Sequence, residues 1–280
     1  MNKTLITEEA TDGQKKQVER FAEDAVIRAF SKKIFNREDL QKLIEDGDEF
    51  QADIIASIGK HSQINRFADE EVESYCGYPL DYKPKSIEDQ VDILRHFFRK
   101  IGHADEKIAK QSPSGHAEAF FAIPRWQLIA ETYDGAVYTV FHKIKQTRKC
   151  HPYNEYKGFV ETERTARKLK MLSEQQEGCD ILIVAAQFGM RYRGCSVRRA
   201  RELFTGNEFG LGAFEIGCMI LTHPERFNAN DNLWIDCAGN NSVSCIGSLG
   251  DMIKISSCMP VNTTSSDNGS ASAFLPRKIS

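Results

Sequence analysis

The sequence lacks long apolar runs. Its longest, Ile181 to Ala186, is six residues, far short of the roughly 20 that a membrane-spanning helix needs. No apolar stretch of the length of a secretion signal follows Met1, so we expect a cytoplasmic chain with no membrane partner. None of the eight cysteines stands in a C-x-x-C arrangement, which removes the zinc-ribbon and thioredoxin-type readings. We expect free thiols in a reducing compartment and no bound metal. There is no G-x-x-x-x-G-K-[ST] phosphate loop and no G-x-G-x-x-G fingerprint. Charge of one sign is not in excess either. The net charge is −3, from 37 basic and 40 acidic residues, which argues against a general coat for DNA.

What is present is ordinary in bulk and uneven in detail. The 280 residues are 41% apolar and 28% charged, close to an average globular chain and long enough to bury a sizeable core. Residues 1–110 read as helical. Val18, Phe21, Ala22, Ala25, Ala29 and Phe30 recur at three- and four-residue steps. Asn36 is a candidate N-cap, and Ser86-Ile87-Glu88-Asp89 resembles a capping box opening a further helix. From Gln111-Ser112-Pro113-Ser114-Gly115 the pattern changes. Ala119 to Ile123 suits a buried strand ended by Pro124. Asp180 to Ala186 is apolar on both faces, as in a central strand. Further helices fit Tyr133 to Ile144, Thr162 to Glu177 and Asn207 to Leu221. Leu233 to Cys237, Met252 to Ser257 and Ala271 to Leu275 are strand candidates. We expect an α/β or α+β protein, with a helical N-terminal part followed by a mixed sheet flanked by helices. The boundary is expected near residue 110, with 111–280 forming the mixed α/β domain, unless the chain is one continuous domain.

Charge is distributed asymmetrically. Residues 1–75 carry net −6 and residues 140–201 net +8. The most basic segment, Gln187 to Arg201, follows the best strand and runs into a helix capped by Ser196. A strand end, a glycine-bearing loop and a helix start together form a common ligand site in α/β proteins. Arg191, Arg193, Ser196 and Arg198, with Glu208 opposite, are therefore candidate binding residues for a phosphate-bearing small molecule or nucleic acid. Glu202, Glu208 or the acidic N-terminal helices could equally neutralise the arginines. His116 and Glu118, two apart at a strand entry, form a candidate acid–base pair, and Asp236 at a strand end is a third catalytic candidate. Cys237 is a weaker candidate nucleophile, for which inert packing is the alternative. His223 suits a helix C-terminus. Gly210, Gly212 and Gly217 read as sites of close packing. Trp126, between Arg125 and Gln127, reads as core, rim or pocket wall.

Ile181 through Arg201, Glu208 to Arg226, Trp234-Ile235-Asp236-Cys237-Ala238-Gly239 and His116-Ala117-Glu118 through Ile123-Pro124-Arg125-Trp126 together resemble an uncharacterised family of bacterial hypothetical proteins. The resemblance covers roughly residues 78–240 and 270–276. It implies a bacterial, non-secreted protein and no particular activity or cofactor. Three functional readings follow from the residues: an anion- or nucleic-acid-binding protein using Arg191–Arg201, an enzyme acting on an anionic small molecule through a His, Asp or Glu acid–base group, and a non-catalytic interaction module.

Overall fold

The computed structural model describes residues 11–32, 35–62, 66–80, 82–113, 116–150, 158–227, 233–249 and 252–276. Ser114 and Gly115 of the expected loop lie outside them. The chain divides into two compact units, Met1–Gln63 and Ile64–Ser280. The division falls before the expected boundary at 110, so residues 64–110 belong with the second unit. The class is α+β, with helices leading.

The first unit holds α1 (Asp12–Ser31), α2 (Arg37–Glu45) and α3 (Gly47–Ser62). Thr11 and Asn36 cap the first two through reciprocal side-chain bonds with Gln14 and Asp39, which satisfies backbone donors that have no partner inside the helix. Neither α1 nor α2 buries a residue. Phe21, Ile44 and Ile55 are exposed, so the apolar spacing of α1 produces a helix without a core.

The second unit contains the core. Its elements are α4 (Ile87–Phe97), β1 (Ala119–Pro124), α5 (Tyr133–Thr147), α6 (Glu163–Gln175), β2 (Ile181–Gln187), α7 (Val197–Leu203), β3 (Glu208–Gly210), α8 (Ala213–Thr222), β4 (Trp234–Asp236), β5 (Val243–Leu249), β6 (Met252–Met259), β7 (Asn268–Ser270) and β8 (Ser272–Phe274). The single mixed sheet expected from the sequence is resolved into two four-stranded sheets, ordered β1-β2-β8-β3 and β6-β5-β4-β7. The first is antiparallel throughout. The second is mixed through its parallel β4–β7 pair. The chain passes from one sheet to the other at Ala271, between β7 and β8. A helix expected over Asn207–Leu221 is corrected: its first residues form β3, and α8 starts only after Gly212.

All seven residues of β2 and all ten of α8 are buried. That fits their largely apolar character, because each is covered on every side. α8 packs against α4, α5 and β1. Gly217 permits the closest approach, since a Cβ there would stand 2.5 Å from Val140 Cγ1. Two buried glutamines close the backbone of the first sheet. Gln90 of α4 accepts from Ala122 N at 2.9 Å and donates to Phe120 O at 3.1 Å, covering the outer edge of β1. Gln176, just past α6, accepts from Ile183 N at 2.8 Å and donates to Ile183 O at 2.9 Å, where β8 does not reach β2. Both side chains occupy strand-edge groups that would otherwise be left open. Among the described residues no helix is long and apolar enough to cross a membrane.

Candidate functional site

The basic segment has the local build expected of it. β2 ends at Gln187, Gly189 turns the chain at φ +116°, and Ser196 caps α7 by accepting from Arg199 N at 3.0 Å. Its arginines, however, are engaged inside the chain. Arg191 Nε donates to Tyr192 Oη at 2.8 Å and stands 3.6 Å from the Glu208 carboxylate. Glu208 is fully buried and also accepts from Tyr192 Oη and Ser272 Oγ, at 2.8 and 2.7 Å. Arg193 Nη1 donates to Cys76 O at 2.9 Å. Arg198 pairs with Glu70, which also accepts from Ser196 Oγ at 2.6 Å. The Arg198 bond holds the Glu70 carboxyl below its ordinary range. Arg199 bridges Glu71 and Glu202 at 2.6 and 2.7 Å. Arg201 donates to Ala238 O and Asn240 O.

The three candidate catalytic residues sit in different surroundings. His116 is exposed, 6.4 Å from the Phe274 ring. Glu118 turns inward, where it accepts from the Tyr78 hydroxyl and from Phe188 N at 3.2 Å. Burial raises its carboxyl pKa against these bonds. Asp236 is buried in the second sheet and accepts from Asn268 Nδ2 at 2.8 Å. Burial pushes it up to about 7. Cys237 is fully buried, and its thiol pKa is raised well above normal by burial, so it is poor in thiolate. The seven cysteines whose side chains are described carry free thiols. Among the described residues no three of His, Cys, Asp and Glu gather in a way that could hold a metal ion.

A different place concentrates unsatisfied chemistry. A groove of about 790 Å³ runs along α6. One stripe of that helix faces it: Ala166, Leu169, Lys170, Ser173 and Glu174, spaced by three and four residues so that they share a side. Ile123, Pro124 and Leu182 supply an apolar wall, Trp126 and Glu161 polar atoms, and Glu215 reaches it from α8. Both ends of α6 are tied down. Thr162 caps its start by accepting from Thr165 N, and Arg125 Nη2 donates to Ser173 O and Gln176 O, each at 2.9 Å, at its end. A guanidinium there suits the exposed carbonyls and the helix dipole.

Glu161 and Glu215 are two carboxyls of the groove lining, and the charge of the second acts on the first. Glu215 is buried and accepts from Tyr133 Oη at 2.9 Å and from Gly212 N at 3.0 Å. Burial raises its pKa. Glu161 accepts from the Trp126 indole, yet its pKa is pushed up to about 8, first by burial and then by the charge of Glu215. Two carboxyls sharing a poorly solvated site do not both ionise readily, and the raised value of Glu161 favours its protonated form at neutral pH. Two of the residues lining the groove each hold a buried polar atom, itself closed to solvent, with no hydrogen-bond partner among the described residues: Oε1 of Glu161 and Nε of Arg125. A second groove of about 930 Å³, between the start of α4, residues 103–110 and the end of α6, is larger but no residue lining it holds such an atom. Size alone therefore does not select the site. Sequence reasoning missed Glu161 and Tyr133 because they lie 54 and 82 residues from Glu215 and share no motif with it. Trp126, read as a possible pocket wall, does line the groove.

Comparison with family models, with curated proteins and with solved structures finds no match to this chain.

Proposed function

We propose that the protein acts on a small organic molecule held in the groove along α6, with the Glu161–Glu215 pair as its acid–base group. The observation that carries this reading is the position of Glu161: it lines the groove together with Glu215, and burial and the charge of Glu215 poise its carboxyl near pH 8. Carboxyls in a cleft whose proton affinity is raised by burial and by each other's charge are frequent makings of an acid–base site. The reading keeps the carboxyl acid–base chemistry expected from sequence and moves it from His116, Glu118 and Asp236 to Glu161 and Glu215. Anion binding by Arg191–Arg201 is the competing reading, and the internal partners of Arg191, Arg198 and Arg199 weigh against it.

A thermal-shift screen separates the two. Wild type, Glu161→Gln and an Arg191→Ala/Arg193→Ala double variant are tested against amines, amino acids, sugars, sugar phosphates, nucleotides and short oligonucleotides. A ligand at a hundred times its Kd stabilises the fold by about 2.7 kcal/mol. We expect a shift that is lost in Glu161→Gln and kept in the arginine variant. The opposite pattern would place the ligand on the arginine loop, and no shift with any compound would overturn both readings.

A further inference from the structure

The first unit leaves its apolar residues in water. Neither α1 nor α2 buries a residue. Ten large apolar side chains between residues 12 and 62 are exposed, among them Phe21 and Phe30 on α1, Ile44 on α2 and Ile55 on α3. Each keeps between 37% and 72% of its surface. Together they offer the equivalent of about five whole side chains, on the order of 900 Å² for groups of this size. A stable interface of standard size takes about 800 Å² from each partner. The helices also need burial from outside the unit. A nine-residue helix such as α2 is marginal in water alone, because most helices in proteins draw their stability from packing an apolar face. We propose that the first unit is a self-association module, through which two copies of the chain pair with α1 of each copy on α2 and α3 of the other.

Charge selects a second copy as the occupant. Residues 12–33, which span α1, hold six basic and four acidic residues, net +2. Residues 37–62, which span α2 and α3, hold three basic and seven acidic residues, net −4. The α1 helix of one copy therefore complements α2 and α3 of another in charge as well as in apolar surface. A twofold arrangement makes that contact twice, since each copy brings both the basic helix and the acidic pair. A lipid surface fits less well. A helix lying on a membrane carries an excess of Lys and Arg on its polar face, whereas the two segments together are net −2. The inference is independent of the groove along α6, because no residue lining that groove belongs to the first unit.

The test is sedimentation velocity of the full chain at about 1 to about 100 µM, beside two charge variants and the fragment 64–280, which keeps the whole core. Lys16→Glu/Arg20→Glu turns the α1 segment from +2 to −2. Glu45→Lys/Glu49→Lys/Asp53→Lys turns the α2–α3 segment from −4 to +2. All five positions are exposed, so circular dichroism should show the helix content of the wild type. We expect the full chain to sediment at twice 31.7 kDa, with a Kd in the micromolar range or tighter. Each variant alone should associate at least about tenfold more weakly. An equimolar mixture of the two should recover the dimer, because both contacts then join opposite charges again. The fragment should be monomeric. A full chain that is monomeric at about 100 µM overturns the proposal and leaves the apolar helices to a different partner. A dimeric fragment overturns it as well, as do variants that associate like the wild type or a mixture that associates no better than its components.

Discussion

Single residues carry the sharpest consequences of burial. Asp236 has a folded pKa of about 7 against an ordinary 3.8. A raised carboxyl favours the folded state fully below its ordinary value and loses that advantage as pH rises through the folded one. Asp236→Asn should therefore raise stability at pH 8, on the order of 2–4 kcal/mol, and change it little at pH 4. Urea unfolding at the two pH values reads the difference, and an equal effect at both would refute the assignment. His223 behaves oppositely. Burial, then the Lys85 ammonium, lowers it from 6.5 to about 4, and its Nε2 accepts from Lys85 N at 2.9 Å. Its contribution is present above pH 6.5 and lost as pH falls toward 4. Acid unfolding of wild type should show that slope, and His223→Gln should flatten it. Gln90 has no titration to reveal it. Replacing it by Leu leaves Ala122 N and Phe120 O without partners, at a cost of about 2–4 kcal/mol for two buried backbone groups.

At the scale of elements, caps and close contacts decide. Ser196→Ala removes both the cap of α7 and a bond to Glu70, so a loss of about 1–2 kcal/mol is expected in thermal unfolding. Gly217→Val presses a branched side chain against Val140 on α5 and should cost about 1–3 kcal/mol. The elements that sequence reasoning found share strong local signals. α4 has Ser86 and the stripe Val91, Leu94 and Phe98; β2 has an unbroken apolar run; α7 has Ser196. Those it missed have none. β3 and β7 are Glu208–Gly210 and Asn268–Ser270, three residues each, too short to show alternation and containing glycine. β3 exists because β8 pairs with it from 64 residues away, and that distant pairing overrides the helical appearance of Asn207–Leu221. The candidate site was hidden for the same reason. Glu161, Trp126 and Glu215 come from a bridge, a turn and a helix, and only the fold brings them to one wall. The arginines were legible as a cluster, but the identities of their partners Glu70 and Glu71 required a contact across about 130 residues.

For the whole molecule, buried Asp236 and half-buried Glu161, at about 7 and about 8, both lose their advantage as pH rises, while His223 is already neutral above 6.5. The unfolding midpoint should thus be lower at pH 8 than at pH 6.5, and a flat profile would contradict the two assignments. Stability of the second unit is built from its own core, from Ile87 to Leu275, whereas α1 and α2 bury nothing. The fragment 64–280 should therefore unfold cooperatively, with a midpoint within a few degrees of the full chain. The order of strands in the first sheet also bears on synthesis. β8, at Ser272–Phe274, lies between β2 and β3, so as the chain emerges from the ribosome the paired strands β1 and β2 must wait, with Ala185–Gln187 unpaired along one edge, until Phe274 has been added. Chains that stop before residue 270 would keep that edge permanently and are expected to be cleared or to aggregate, even though every residue of the groove along α6 is already in place.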